Sequence, residues 1–198
     1  SQYRLAAHLS IAFMIYILII FFLWNNFRTR NLANFKMSCY PKRTLKYLIT
    51  CFSLTFITII SGAFVAGTDA GLVYSNFPLM GDGFFPPDPF VLTPFWINFF
   101  ENKNLIQIDH RILATVTSAI IIFTWFKNHK LIKTRLLGKF LTFSTIFIVL
   151  QYSLGIITLK LNVPISLGVI HQLGSLIVLS LITICISEFY TNKKGAIR

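Results

Sequence analysis

The chain alternates between long apolar runs and short polar or basic stretches. Five segments carry no Asp, Glu, Lys or Arg: Leu5–Phe27, Tyr47–Thr68, Ile112–Phe126 (extended upstream through His110), Phe140–Leu159 and Leu161–Ser187. A helix that spans a bilayer needs about 20 predominantly apolar residues. The third run reaches that length only if its helix begins near Leu105, which brings Asp109 and Arg111 into its outer turns. Lipid leaves no water to satisfy backbone groups, so only helices or closed barrels can cross. These runs are too long and too continuously apolar for barrel strands of about 10 alternating residues. The expected fold class is therefore all-α: a polytopic membrane helical bundle with five transmembrane helices.

The polar stretches orient the bundle. Residues 28–46 hold six basic residues and no acid, residues 127–139 hold five and no acid, and the tail after residue 190 holds three more, out of 18 in all. Asp69, Asp82, Asp88, Glu101 and Asp109 fall on the opposite side. Basic loops stay on the cytoplasmic or matrix face, so the chain starts outside and ends inside. Residues 69–104 then form one long outer loop rich in Gly, Pro and aromatic residues. Pro and Gly exclude a single regular helix there, and its Phe, Tyr and Trp suit the membrane interface. A loop of this length is usually functional or a lid.

Composition agrees with this reading. Of 198 residues 55% are hydrophobic and 12% charged, against roughly 25% charged in a soluble domain; mean hydropathy is +0.70. The net charge of +12 would suggest nucleic acid for a soluble protein, but here topology accounts for it and no nucleic-acid partner is expected. Cys39, Cys51 and Cys185 have no CxxC spacing, so neither a disulfide framework nor a zinc site is indicated. The chain opens at Ser1 directly upstream of an apolar run, with no small-residue cleavage site after it, so a fragment or processed product is expected rather than a signal peptide.

Four histidines are candidates for chemistry. His129 lies in the basic inner loop and reads as a solvated residue. The other three share a depth: His8 is 16 residues from Trp24, His110 is 16 from Phe126 and His171 is 17 from Glu188. A rise of 1.5 Å per residue puts each about 25 Å from the inner boundary, near the outer edge of the hydrocarbon. Ionisable groups inside a bilayer are costly and mark functional sites. Neutral imidazole is a strong metal ligand, and heme iron takes axial ligands from two sides, which facing helices supply. A zinc site would want three or four ligands, with thiols or acids nearby. Asp109 or Gln107 is placed to orient the His110 ring, Arg111 to pair with a heme propionate, and Gly174 to admit a flat ligand or a neighbouring helix beside His171. The bland alternatives are helix-contact histidines and an interfacial Asp109–Arg111 pair. A proton-relaying transporter would want mid-membrane acids, and the spans have none; a cytochrome b-like electron-transfer module and a structural subunit stay open.

A faint repeat relates Leu5-Ala6-Ala7-His8 to Gly168-Val169-Ile170-His171. It suggests that residues 1–27 are the last helix of a preceding half and 47–190 one complete four-helix half, joined by the basic loop 28–46 and followed by an inner basic tail, 191–198.

The stretch Ser61-Gly62-Ala63-Phe64-Val65-Ala66-Gly67-Thr68-Asp69-Ala70-Gly71, then Asn76-Phe77-Pro78-Leu79-Met80-Gly81-Asp82-Gly83, Asp109-His110-Arg111 and His171-Gln172 resemble the heme A synthase family, in its alphaproteobacterial and mitochondrial form. The resemblance implies eight helices in two similar halves. It implies an oxidoreductase of cytochrome oxidase biogenesis that turns a methyl group of heme O into the formyl of heme A by successive hydroxylations. It further implies a heme b cofactor on the histidine pair matched by His110 and His171, with heme iron as the metal, and a second pair at the substrate heme, of which His8 is one member. The other member, and the acidic residue tied to the reaction, would lie upstream of Ser1, so no catalytic residue is expected within this chain. The implied surroundings are a bacterial cell membrane or a mitochondrial inner membrane, with heme O as substrate, lipid, heme O synthase and an electron donor as partners, and a homo-oligomer compatible. Cysteine pairs found in the outer loops of some members have no counterpart here.

Overall fold

The structure is a computed structural model; it describes residues 1–31, 40–128 and 135–195, the side chains of 193–195 excepted. The expected five long helices are present, with one short helix between them: α1 (Gln2–Arg30), α2 (Lys42–Thr68), the short α3 (Asn98–Glu101), α4 (Lys103–Lys127), α5 (Leu136–Lys160) and α6 (Ile165–Gly195). All but α3 are long and apolar enough to cross a membrane, and no strand occurs among the described residues. The third span does begin early, at Lys103, where the Asn102 side chain accepts from the Asn104 amide and caps the first turn. His129 and Cys39 lie outside the described residues.

The packing follows from which faces can find apolar partners. Helices α2 and α4 form one close antiparallel pair, α5 and α6 a second, and α1 lies across α2 and α6. The inner half is solid. Leu48, Leu137, Leu141 and Cys185 are fully buried in one cluster, and Cys51, Ile121, Val178 and Ile182 continue it towards the middle. Tyr40 closes the inner end, stacked near Phe189; burial pushes its phenol up to about 12, so it stays neutral at physiological pH.

Polar groups inside this half are paired, as a membrane interior requires. The chief case is Glu188, 0% exposed, which accepts from Arg28 Nε at 2.6 Å and Nη2 at 2.8 Å. It also accepts from Trp24 Nε1 at 3.1 Å and Asn192 Nδ2 at 2.7 Å. This cluster fastens α1 to α6. The opposite face of α1 is apolar and exposed, with Ile11, Ile15, Leu18, Phe22 and Leu23 each more than half exposed, as suits contact with lipid chains or further helices.

The outer loop is built rather than loose. Met80 is fully buried against Leu105 and Ile108, and its N–H donates to Gly83 O at 2.7 Å. Asn98, also fully buried, accepts from Leu92 N at 2.9 Å and donates to Leu92 O at 2.8 Å and Phe95 O at 2.9 Å. Asn102 donates to Asp88 O and Pro89 O. Phe84, Phe85, Phe95 and Trp96 stand exposed on this frame. Replacing Asn98 by Ala leaves buried backbone groups without partners, at about 1–3 kcal/mol for each group left unmade. Asn98→Ala is expected to speed hydrogen exchange at the Leu92 amide and to expose residues 84–96 to added protease, with the spans unaffected; unchanged exchange would show that the loop is held elsewhere.

Candidate functional site: a two-histidine cavity

Above the solid base the helices part around a cavity of about 610 Å³, within the range of roughly 300–1,000 Å³ usual for cofactor sites. Four helices line it: α2 (Thr55 to Ala66), α4 (Gln107 to Ser118), α5 (Ile148 to Leu159) and α6 (Ile165 to Val178), with Leu5 and Leu9 of α1 at the side and Asp69, Gly71, Leu72 and Phe77 of the outer loop above. His110 and His171 both line it, one from each antiparallel pair. The two were expected at one depth, and the structure brings them to one space.

Each ring rests on a glycine of the helix it is paired with, Gly62 of α2 for His110 and Gly155 of α5 for His171. A Cβ on Gly62 would stand 3.2 Å from His110 Cε1, and one on Gly155 would stand 2.9 Å from His171 Cε1. The second distance is shorter than real Cβ contacts allow, so a ring in this place requires glycine at 155.

The hydrogen bonds to the rings come from residues that the sequence did not single out. Ser61 Oγ lies 2.8 Å from His110 Nδ1 and donates its own proton to Thr58 O at 2.7 Å. With that proton committed, the hydroxyl accepts from Nδ1–H, which leaves the Nε2 lone pair available to a metal. Asp109 and Gln107, the expected orienting residues, do not do this. Gln107 Nε2 turns to the loop and donates to Gly71 O and Tyr74 O, and Asp109 has no hydrogen bond to the ring. The reason is angular: at 3.6 residues per turn, the residue next to His110 points about 100° away from it. Gln151 of α5 reaches His171, its Nε2 3.1 Å from Nδ1 and 2.7 Å from His171 O. Gln151 is the single amide within the uncharged run Phe140–Leu159, and that was the signal by which sequence reasoning could have found it.

Arg111 stands at the cavity's outer edge. It donates from Nη1 to Leu79 O at 3.2 Å and from Nη2 to Tyr74 O at 3.0 Å, stands over the Phe77 ring at 6.0 Å, and keeps a buried Nε with no hydrogen-bond partner. Tyr152 donates to or accepts from Thr115 at 2.9 Å and meets Phe77 edge-on. Val163, in the turn between α5 and α6, has φ 52°, a conformation that costs a β-branched residue about 1–3 kcal/mol. It holds its methyls against Gly71, where a Cβ would stand 3.1 Å from Val163 Cγ2. The roof is thereby tied to both helix pairs. His8 is exposed on α1 and does not line the cavity. No group of three or more His, Cys, Asp or Glu that could hold a bare metal ion occurs among the described residues.

Fold and site together define a polytopic membrane protein with a mainly apolar chamber in its outer half and one imidazole from each helix pair. The family model described as cytochrome oxidase assembly protein, COX15-CtaA, matches residues 1–183, and the chain belongs to that family. It is 38% identical over 178 residues to the heme A synthase of Nitrosospira multiformis (89% of this chain, 49% of that protein). It is 41% identical over 183 residues to heme A synthase COX15 of Arabidopsis thaliana (91% and 40%), and 36% identical over 181 residues to heme A synthase COX15 of Homo sapiens (91% and 43%). The chain spans about half the length of the curated relatives it matches. Among solved structures nothing matches. Bacterial and mitochondrial relatives and five apolar helices fit a multi-pass inner-membrane protein.

Proposed function

We propose that this chain is the heme b-holding part of a heme A synthase, an oxidoreductase that converts heme O to heme A. The observation that carries the reading is the convergence of His110 and His171 on one chamber, each imidazole backed by a glycine and each Nδ1 met by a polar side chain. The residues fit heme by the chemistry of the donor set: two imidazoles, apolar walls and an arginine with an unpartnered Nε. His110 and His171 would be the axial ligands, and Arg111 would face a propionate with the charged planar fork suited to carboxylates. Bound there, heme b supplies one-electron transfer.

The chain's own residues do the rest. Ser61 holds His110 in the tautomer with Nε2 unprotonated. Gln107 and Arg111 hold the roof, residues 71–80, over the apolar chamber. On this reading α2, α4, α5 and α6 form the heme b half and α1 belongs to the preceding half. His8, exposed on α1, is assigned to the substrate heme; its partner and the reacting acid would come from sequence that this chain does not contain. Heme O and an electron donor are the partners the reading requires.

The test is the reduced-minus-oxidised visible spectrum of the chain, purified in mild detergent and supplied with heme b. A low-spin signal is expected, lost or converted to high spin in His110→Ala and in His171→Ala, and retained in His8→Ala. A chain that folds to the same helix content yet takes up no heme would overturn the reading.

A further inference from the structure

The walls of the chamber are joined to one another on every side but one. Below lies the packed inner half, and above lies the roof, tied down by Gln107 and Arg111. Helices α2 and α4 are joined by the Thr58 and Thr117 hydroxyls, 2.8 Å apart. Helices α4 and α5 are joined by Thr115 and Tyr152 at 2.9 Å. Helices α5 and α6 are joined by the Gln151 amide, which donates to His171 O at 2.7 Å. Helix α1 lies across the remaining side and covers it only in part. We infer that the gap between the outer turns of α1 and α6 is a side window, through which a flat, amphipathic ring ligand of the heme class enters the chamber from within the membrane. The inference rests on the heme reading above and adds to it the route by which the ligand arrives.

Three observations define the gap. First, α1 is fastened to α6 in the inner half alone. Tyr16 meets Ser180 at 2.7 Å, Ser187 donates to Phe21 O at 3.0 Å, Trp24 donates to Glu188 and Thr191 to Asn25. Outward of Tyr16 no hydrogen bond joins the two helices among the described residues. Second, the outer end of α1 leans to α2 and α3 instead. Gln2 donates to Glu101 Oε2 at 3.0 Å, and Tyr3 donates to Glu101 Oε1 and meets Phe64 edge-on. A Cβ on Gly67 would stand 2.8 Å from Gln2 Cα, so the two backbones touch there. Helix α1 therefore crosses from one helix pair to the other, and it parts from α6 outward of Tyr16. Third, the edges of the gap are bare. The inner partners are 164 or 166 residues apart, so with an equal rise per residue Leu5 and Leu9 stand level with residues 169–175 of α6. Both leucines line the chamber. Val169 and Leu173 fall on the stripe of α6 that carries Ser180 further in, yet they are 52% and 55% exposed, because α1 has left them. Gly168 lines the chamber beside them, and a Cβ there would meet nothing within 4 Å. The gap is thus edged by apolar or small residues and lies at the depth of His171. A ring ligand dissolved in lipid reaches the imidazoles through it without lifting the roof.

The test is the rate at which heme b enters and leaves the purified chain in lipid nanodiscs. Uptake is read from the Soret band after mixing with heme-loaded vesicles, and release after mixing with excess apomyoglobin. Val169 and Leu173 flank the gap without lining the chamber, so bulk there obstructs passage and spares the site. In the double variant Val169→Trp with Leu173→Trp, uptake and release are both expected to slow by about tenfold, as about 1.4 kcal/mol on a barrier would do. Affinity and the low-spin spectrum are expected to stay unchanged, because a barrier on the path is shared by both directions. Val169→Ala with Leu173→Ala is expected to speed both rates. Ile157→Trp, an exposed position of α5 that does not line the chamber, is expected to change neither. Unchanged rates in the Trp variant would place entry elsewhere, and equal slowing by Ile157→Trp would show a general effect of bulk. Either result overturns the window while the heme reading stands, as does a weakened affinity with entry at the original rate. If the original chain takes up no heme, both fail together. Circular dichroism checks the fold of each variant; should the Trp variant not fold, the Ala variant decides, and rates no faster than the original overturn the inference.

Discussion

Replacing Glu188 with Ala is expected to destabilise the bundle by about 3–5 kcal/mol, the usual cost of removing one partner from a buried ion pair. The carboxylate is 0% exposed and receives four hydrogen bonds, two from Arg28 and one each from Trp24 and Asn192. Its loss takes from the buried Arg28 guanidinium the carboxylate that receives two of its hydrogen bonds, and from the Trp24 indole N–H the acceptor at 3.1 Å. Because Arg28 and Trp24 belong to α1 and Glu188 to α6, the damage should centre on the docking of α1. Unfolding in a graded detergent series, followed by fluorescence, is the measurement. Glu188→Gln should fall between the original and Glu188→Ala, since the amide keeps the shape and loses the charge. The double variant Arg28→Met with Glu188→Leu should recover most of the loss, because well-packed apolar residues often replace such a pair at little cost. A double variant as weak as Glu188→Ala would show that the pair does more than hold two helices together.

Gly155 tests the site in the opposite sense. Gly155→Ala removes a glycine from a helix interior, which raises intrinsic helix stability by about 1 kcal/mol. It also sets a methyl 2.9 Å from His171 Cε1. The chain should therefore unfold no earlier than before, yet bind heme more weakly and show part of its spectrum as high spin. Gly155→Val, with two more carbons in the same place, should abolish the low-spin signal. Gly62→Ala, where the gap to His110 is 3.2 Å, should have the milder effect. Equal and negligible effects at both positions would mean that the rings have more freedom than the packing allows.

These contrasts follow the line between what the sequence carried and what it did not. The five spans were legible because lipid demands unbroken apolar runs, and Leu5–Phe27 or Phe140–Leu159 can mean little else. The shared depth of His110 and His171 was legible because a helix rises by a fixed step, so counting residues measures height. Rotation about the helix axis and the pairing of helices are not counted in that way. Which side chain meets Nδ1 depends on both, so Ser61 and Gln151, 49 and 20 residues away from their partners, could not be found by local spacing. The expected helper Gln107 is instead drawn to the roof, because residues 71–74 present bare carbonyls that must be satisfied. Gly174 was read as a gap for a ligand or a helix, and it is filled by a single amide from the neighbouring helix.

The contrast between the filled inner half and the hollow outer half bears on the order in which the molecule is put together. Leu48, Leu137, Leu141, Leu179 and Cys185 close the base with side chains alone. The floor of the chamber therefore needs no guest to hold it together. A bundle without a guest would keep the cohesion of its inner half, so folding of the chain need not wait on guest supply.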